Sequence, residues 1–316
     1  MIWSTKDIPS QAGKLALITG ATGGLGYETA LELARAGATV VLTGRNAGKG
    51  ADALKRITAE VPGAKVSYES LDLSALANVA RFADDFAAKH DRLDILVNNA
   101  GVMAPTTRQE TKDGFELQWG TNYLSHFALT AQLLPLLMAA KAPRVVQLSS
   151  TAAQIGRIDF DDLDARNSYR PFRSYSQSKL AMLMFARELQ KRSDANGWHL
   201  HATAAHPGWA MTDLVANGPA NADGLQGQIG KFIGTVIGPM MGQSGAQGAL
   251  PQLFAVTSPD ARPGGYYGPD GMMEMRGSPG DAKPPRRAVD AAAAERLWQV
   301  SEQLTGRRFP SIAKAA

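Results

Sequence analysis

A doubly wound α/β sheet of mostly parallel strands, folded as one domain, is the architecture that this sequence predicts. Three observations predict it. Short, near-continuous apolar runs alternate with amphipathic helical stretches, a glycine-rich turn directly follows the first of those runs, and no internal repeat or charged linker divides the 316 residues. Strands that are apolar at consecutive positions are covered on both faces, which is the signature of a parallel sheet between two helical layers. Right-handed crossovers then wind the helices to both sides and leave ligands at the carboxyl ends of the strands.

The elements follow in order. Lys14–Thr19 (KLALIT) reads as the first strand and Leu25–Ala36 as a helix stopped by Gly37. Ala38–Thr43 is the second strand, and Asn46 caps a helix running to Glu60, where Val61-Pro62-Gly63 forces a turn. Lys65–Leu71 is the third strand, Ala75–Lys89 a helix and Leu93–Val97 the fourth strand. A long helix is expected from Gly114 to Ala140, with Pro135 kinking or breaking it. Arg144–Ser149 is the fifth strand, Phe172–Ser193 a helix and Trp198–Ala205 the sixth strand. The rhythm breaks at 211–245, a stretch rich in Gly, Asn, Ala and Pro and then apolar at Phe232, Ile233, Val236, Ile237, Met240 and Met241. At the ligand end of a sheet such a segment suits a lid over substrate, and a plain surface excursion with one packed helix is the alternative. Gln243–Val256 resumes as a helix, Gly264–Tyr267 is a last short strand, and 289–305 ends the chain in a helix.

Composition narrows the function classes. With no cysteine, disulfide scaffolds, thiolate zinc sites and cysteine nucleophiles are excluded. A net charge of +4, spread among interspersed acids, lacks the concentrated basic stripe of a nucleic-acid binder, and Lys283-Pro-Pro-Arg286-Arg287 reads as a solvated loop. No apolar stretch approaches the roughly 20 residues of a membrane span. Met1–Asp7 carries no apolar run, so no signal peptide and a cytoplasmic location are expected. No metal is expected either. His199 and His201 share a strand face near His206, but converging carboxylate or further imidazole ligands are missing, and Asp159, Asp161, Asp162 and Asp164 lack the glycine and glutamate of a calcium loop.

Thr19-Gly20-Ala21-Thr22-Gly23-Gly24-Leu25-Gly26 joins the first strand to the first helix. Glycines let the main chain turn tightly and approach a pyrophosphate, and the helix N-terminus supplies free N–H donors and positive dipole. The tip of the second strand selects the dinucleotide. A carboxylate there would take the ribose hydroxyls and repel an added 2′-phosphate, whereas here the tip is Gly44-Arg45, with Thr43 adding a hydroxyl. The Arg45 guanidinium suits a phosphate fork, which makes NADP(H) the expected cofactor; a solvated loop arginine is the alternative. Asp72, with Leu73 beside it, follows the third strand, where its carboxylate suits the adenine amino group or a helix cap.

Tyr175 and Lys179 stand four apart, on one helix face. A phenol is a poor base at neutral pH, and a neighbouring ammonium is expected to lower its pKa, so that it gives a proton to a ketone or takes one from an alcohol. Ser149-Ser150 end the fifth strand, where a hydroxyl polarises a substrate carbonyl. Asn98-Asn99-Ala100-Gly101 end the fourth strand with small residues that admit a flat ring, and Asn122 is an unusual polar residue inside a helix, suited to holding a water.

The ordered set TGATGGLG, NNAG, Asn122, LSS, YSQSK and His206-Pro207-Gly208 resembles the short-chain dehydrogenase/reductase family over nearly the whole chain. That resemblance implies a Rossmann-type sheet of about seven strands and a catalytic set of Asn122, Ser150, Tyr175 and Lys179. In it Ser150 orients substrate, Asn122 holds a relay water behind Lys179, Lys179 also binds the nicotinamide ribose, and Pro207, Gly208 and Thr212 close over the nicotinamide and its phosphates. The remaining cofactor contacts it implies are Gly20, Thr22, Gly23, Gly24, Leu25, Gly26, Arg45, Asp72, Leu73, Asn99, Ala100 and Gly101. The interval from Ser150 to Tyr175 is longer than in small family members, through Gly156–Arg173. Together with NNAGVM and KLAMLMFARELQ, this is similar to the retinol-dehydrogenase-like branch, which implies NADP(H), a bulky apolar alcohol or carbonyl substrate, and no fixed assembly between monomer, homodimer and homotetramer. Reduction of a C=C bond, as in protochlorophyllide reductases that use cysteines, and non-catalytic NADP sensing are the competing readings. The missing cysteines weigh against the first and the retained tyrosine and lysine against the second.

Overall fold

The computed structural model describes residues 3–208 and 243–310. β1 (Leu15–Ile18) leads into α1 (Gly24–Arg35), β2 (Thr39–Gly44) into α2 (Ala47–Glu60), and β3 (Val66–Ser70) into α3 (Leu76–Lys89). β4 (Ile95–Asn98) precedes α4 (Ser125–Met138), and β5 (Arg144–Leu148) precedes α5 (Pro171–Asn196). There follow β6 (His201–Ala205), α6 (Gly245–Thr257), β7 (Tyr266–Pro269), β8 (Pro279–Asp281) and α7 (Ala291–Thr305). The strands lie in the order β3-β2-β1-β4-β5-β6-β7-β8, parallel throughout except for the β7–β8 pair. The order turns back between β1 and β4, and the loops leaving those two strands diverge to open a crevice at their carboxyl ends.

Alternation along β1 shows how the two layers are made. Leu15 and Leu17 enter a core with Phe82 and Phe86 of α3, Phe127 of α4, Phe185 of α5 and Trp298 of α7. Ala16 and Ile18 enter the opposite core with Leu31 and Leu33 of α1, Ile57 of α2 and Leu253 of α6. The helix α5 is the structural axis of the first layer. It starts with Pro171 in its first turn, where a missing N–H costs nothing, and runs 26 residues to Gly197. Its positions from Ser174 to Ala186 are all buried.

Three differences from the sequence reading have physical causes. The sheet has eight strands rather than about seven: Pro279-Gly280-Asp281 pairs antiparallel to β7, with Tyr267 opposite Asp281. Those residues carry no alternation and no β-forming side chain, so only the free edge of β7 makes them a strand, and Pro279 is admitted because the edge leaves its missing donor harmless. The long helix expected from Gly114 starts instead at Leu117, is wound as a π-helix over Trp119–Leu124, and then continues as α4. Pro135 lies inside α4 without ending it. The sixth strand is shorter than read, because His199 takes a left-handed φ of 57° and delays pairing until His201. Residues 211–242 of the expected lid lie outside the described residues; Gln243 is held by Pro207, to whose carbonyl its side chain donates, and Ser244 caps α6. Among the described residues no helix is long and apolar enough to cross a membrane.

The α7 helix is part of the core rather than an appendage. The Trp298 ring lies 5.1 Å from Phe127, 5.8 Å from Phe185 and 4.5 Å from Phe309, centroid to centroid. Trp298→Ala is expected to cost about 3–5 kcal/mol, the usual loss for a large aromatic removed from a packed core. Urea unfolding measures this, with the midpoint lowered and the slope retained. A loss below about 1 kcal/mol would mean that the core is complete without α7.

Candidate active site

Between β1 and α1 the chain must reverse against the end of β4, and only glycine fits at two points. Gly20 has φ +64°, and a Cβ placed on it would lie 2.9 Å from Ala100. A Cβ on Gly26 would lie 2.5 Å from the Gly20 carbonyl oxygen, because the first turn of α1 is packed directly on the loop before it. Gly23 enters the helix in an extended conformation, and no side chain caps the N–H groups that begin with Gly24 and Leu25. Thr22 lies against the tip of β2, where a Cβ on Gly44 would come 3.0 Å from its methyl group. Arg45, the next residue, is exposed and forms no ion pair among the described residues.

The floor of the crevice is held by Thr19. Its hydroxyl oxygen accepts from the main-chain N–H of Asn99 and of Ala100, both at 2.9 Å. The Asn99 side chain donates to the Thr19 and Gly20 carbonyls at 2.8 and 3.2 Å, which leaves Asn99 Oδ1 as a buried acceptor with no donor. These features fit a dinucleotide: a tight glycine turn, an uncapped helix N-terminus and an unused acceptor. Asp72 lies farther out and is occupied. It accepts from Ser74 through both the N–H and the hydroxyl, and it pairs with Lys112 at 3.0 Å, contacts that hold its carboxyl below the usual range despite partial burial. Leu73 is buried, and its carbonyl accepts from the Ser125 hydroxyl. Pro207 and Gly208 follow β6; Gly208 donates to His206 Nδ1 at 3.2 Å. Thr212 lies outside the described residues.

Four side chains meet beyond the ends of β4 and β5. The Lys179 ammonium is buried and donates to the Leu148 carbonyl at 2.9 Å; a Cβ on Gly101 would lie 3.5 Å from its nitrogen and 3.2 Å from Asn122 Oδ1. Asn122 is fully buried in the π-wound segment. Its Oδ1 accepts from Val102 N–H at 2.8 Å, while its Nδ2 donates to the Val102 carbonyl at 3.0 Å and to the Ser178 hydroxyl at 2.9 Å. The side chain is thus spent on clamping the loop after β4, and the acceptor left for chemistry is the Asn122 main-chain carbonyl. Of the two serines, Ser149 is tied to the Lys179 carbonyl at 2.8 Å, and Ser150 faces Tyr175.

Burial decides the protonation states here. It pushes the Tyr175 phenol up to about 12, with the Ser150 hydroxyl offsetting part of the rise, and pulls the Lys179 ammonium down to about 8. The lowering of Tyr175 by Lys179, expected from their spacing, does not govern the phenol, because the ammonium lies 5.8 Å from the ring centroid and is itself desolvated. Tyr175 therefore holds its proton at neutral pH, and the arrangement is that of a buried acid beside a hydroxyl donor.

Two residues escaped the sequence reading. Thr19 is one and His126 the other: His126 is fully buried one turn beyond Asn122, with Nδ1 2.8 Å from the Asn122 carbonyl and Nε2 2.9 Å from the Thr19 hydroxyl. Its only sequence signal is the four-residue spacing from Asn122. The other polar clusters have structural partners. His206 meets Glu274 at 3.0 Å, and Asp159 pairs with Arg173 at 2.7 Å. Asp164 accepts from Glu116 N–H at 3.1 Å, and its carbonyl takes Arg108 at 3.0 Å, so the long Gly156–Arg173 interval is stitched to the loop before α4. Among the described residues no group of three or more His, Asp and Glu could hold a metal ion.

Fold, glycine turn and buried tyrosine–lysine pair together define a dinucleotide-dependent oxidoreductase site, and comparison with known proteins agrees. A family model described as short chain dehydrogenase matches residues 14–223, and the chain belongs to that family. Within it the chain falls in the retinol-dehydrogenase-like branch. It is 37% identical to mouse (Mus musculus) polyprenol dehydrogenase over 95% of this chain and 86% of that one. It is 38% identical to human (Homo sapiens) retinol dehydrogenase 13 over 96% of this chain and 89% of that one. A crystal structure of an uncharacterized protein from Mycobacterium paratuberculosis superposes with a TM-score of 0.79 at 40% identity, covering 98% and 100% of the two chains. An Escherichia coli CFT073 short chain dehydrogenase crystallised with NADPH shares the fold, with a TM-score of 0.62 at 23% identity over 83% and 97% of the chains.

The buried imidazole yields a pH prediction. Burial lowers the His126 pKa from 6.5 to about 4. The folded state thus binds fewer protons than the unfolded one between those values, and stability is lost as pH falls from about 6.5 toward 4, by about 3 kcal/mol for this group. Unfolding free energies measured across that range for the protein and for His126→Gln should differ in slope, the variant being flatter. Parallel curves would show that the imidazole protonates as easily folded as unfolded.

Proposed function

We propose that this protein is an NADP(H)-dependent dehydrogenase/reductase that moves hydride between nicotinamide and a bulky apolar alcohol, ketone or aldehyde. The observation that carries the reading is the buried Tyr175 between Ser150 and Lys179, at the strand ends next to a glycine turn. The bound cofactor supplies the hydride, and the protein's side chains handle the proton and the geometry. Ser150 donates to the substrate oxygen and Tyr175 delivers the proton to it, a task suited to a phenol whose proton is retained at neutral pH. Lys179 holds the ribose, and its positive charge on the same helix face favours the phenolate needed for alcohol oxidation. The Asn122 carbonyl holds a relay water behind Lys179.

Gly20, Thr22, Gly23, Gly24, Leu25 and Gly26 take the pyrophosphate, Asn99, Ala100 and Gly101 border the nicotinamide side, and Asp72 and Leu73 flank the adenine. Pro207 and Gly208 close the far side. The preference for NADP(H) is supported by the free, exposed Arg45 at a strand tip without an acid, and by the NADPH held by the Escherichia coli relative in fold. The apolar substrate class is supported by the names of the relatives, which act on polyprenol and retinol, and by exposed Ile155 and Phe172, each within a few residues of a catalytic side chain. A cytoplasmic location belongs to the same reading.

Turnover is followed by nicotinamide absorbance with a panel of bulky and small ketones. Tyr175→Phe should lower kcat by about 100- to 10,000-fold, the span of a lost general acid, while NADPH still binds. Retained turnover would remove Tyr175 from the mechanism. Arg45→Ala should weaken NADPH by about 10- to 100-fold, as expected for charge-assisted hydrogen bonds, and leave NADH within about 3-fold. Equal effects on both cofactors would make Arg45 a surface residue.

A further inference from the structure

The polar chain beneath the site runs through one imidazole that has no part in the reading above. His126 is fully buried in α4, between Ser125 and the apolar Phe127-Ala128-Leu129. Its two nitrogens meet the two halves of the crevice. Nδ1 is 2.8 Å from the Asn122 carbonyl, and Nε2 is 2.9 Å from the hydroxyl of Thr19, which carries the main-chain N–H of Asn99 and Ala100.

Hydrogen-bond accounting fixes the direction of this chain. A carbonyl only accepts, so Nδ1 bears the proton and donates to Asn122. A neutral ring then offers Nε2 as an acceptor at 2.9 Å, and the Thr19 hydroxyl gives its one proton there in preference to the Val97 carbonyl at 3.4 Å. That leaves the Thr19 lone pairs for the N–H groups of Ala100 and of Asn99, the latter shared with the Val97 carbonyl at 3.0 Å. A protonated ring would turn Nε2 into a third donor at an oxygen that already accepts two. Asn122 lies within the π-wound turn, where Ser125 N–H donates five residues back to Gly120. The main chain of His126 is anchored as well: its carbonyl accepts from Thr130 at 2.7 Å, Thr130 accepts from Asn98 at 2.9 Å, and Asn98 donates to Gln147 of β5 at 3.0 Å.

We infer that His126 is a positioning residue that sets both halves of the site at once, aiming the Asn122 carbonyl through Nδ1 and holding the loop after β4 through Nε2 and Thr19. This rests on the hydride-transfer reading, and it assigns the two nitrogens separable effects. Nδ1 governs the proton-relay side, which appears in kcat, whereas Nε2 governs the wall against which the nicotinamide half packs, which appears in cofactor affinity.

Two near-isosteres separate the nitrogens. Asparagine keeps a donor at the place of Nδ1 and lacks the reach to Thr19; glutamine reaches Thr19 and gives up the donor at Asn122. In His126→Asn the larger loss should fall on NADPH affinity, read as a several-fold rise in Kd by direct titration. In His126→Gln the larger loss should fall on kcat, by about tenfold for a relay carbonyl no longer held, while Kd moves less. Thr19→Val, which removes the hydroxyl, should reproduce the His126→Asn signature, Thr19→Ser should restore affinity, and the effects of Thr19→Val and His126→Asn should be non-additive when combined. Equal kcat and Kd changes in the Asn and Gln variants would overturn the inference, as would wild-type behaviour in His126→Leu. If a His126 variant does not fold, the Thr19 pair decides through Kd alone. Absence of turnover in the unaltered protein would sink the proposed function but not this wall, since the titration needs no catalysis.

Discussion

A parallel sheet whose strand order turns back between β1 and β4 cannot be fully covered by its own crossovers, and the rest of the site depends on that constraint. The loop from β1 goes to one helical layer and the loop from β4 to the other. Where they part, main-chain donors and acceptors lack the partners that a strand neighbour would provide. Thr19 resolves most of this shortage with a single hydroxyl, taking the N–H groups of Asn99 and Ala100 and so tying together two segments about 80 residues apart. The two loops can then be thin, and glycine at positions 20 and 26 lets them touch.

The same burial that makes the sheet stable sets the chemistry of the site. α5 is buried without a break from Ser174 to Ala186, and Tyr175 and Lys179 ride on it into a region where charge is costly. Desolvation moves the phenol and the ammonium in opposite directions, each toward its neutral form. His126, two elements away, is driven the same way and becomes a fixed neutral donor–acceptor. A site of neutral, directional hydrogen bonds results, in which a bound charged ligand has large leverage because little screening opposes it. The Gly156–Arg173 interval contributes from outside: Ile158, Phe160 and Leu163 pack on the core while an ion pair and contacts to the loop before α4 tie it down.

Most of the strand–helix order was legible because covered parallel strands leave continuous apolar runs, and because turns, caps and stops depend on local chemistry: Asn46 caps α2 through Lys49 N–H, and Gly37 follows α1 as read. The failures were non-local. β8 has no strand-like residues and exists because β7 has a free edge. The π-wound turn leaves no pattern in WGTNYL, since its register is imposed by what Asn122 must reach across to Val102 and Ser178.

By itself the sequence determined the class of fold, the glycine turn, the candidate set Asn122, Ser150, Tyr175 and Lys179, and the arginine at the β2 tip, because each is written in residue type and short spacing. Tertiary structure alone decided which atoms remain free for chemistry. It spent the Asn122 side chain on Val102 and Ser178, spent Ser149 on α5, raised rather than lowered the Tyr175 pKa, and brought His126 against Thr19. The physical reason is that hydrogen-bond partners and desolvation depend on which distant segments pack together, and one dimension of sequence does not carry that information.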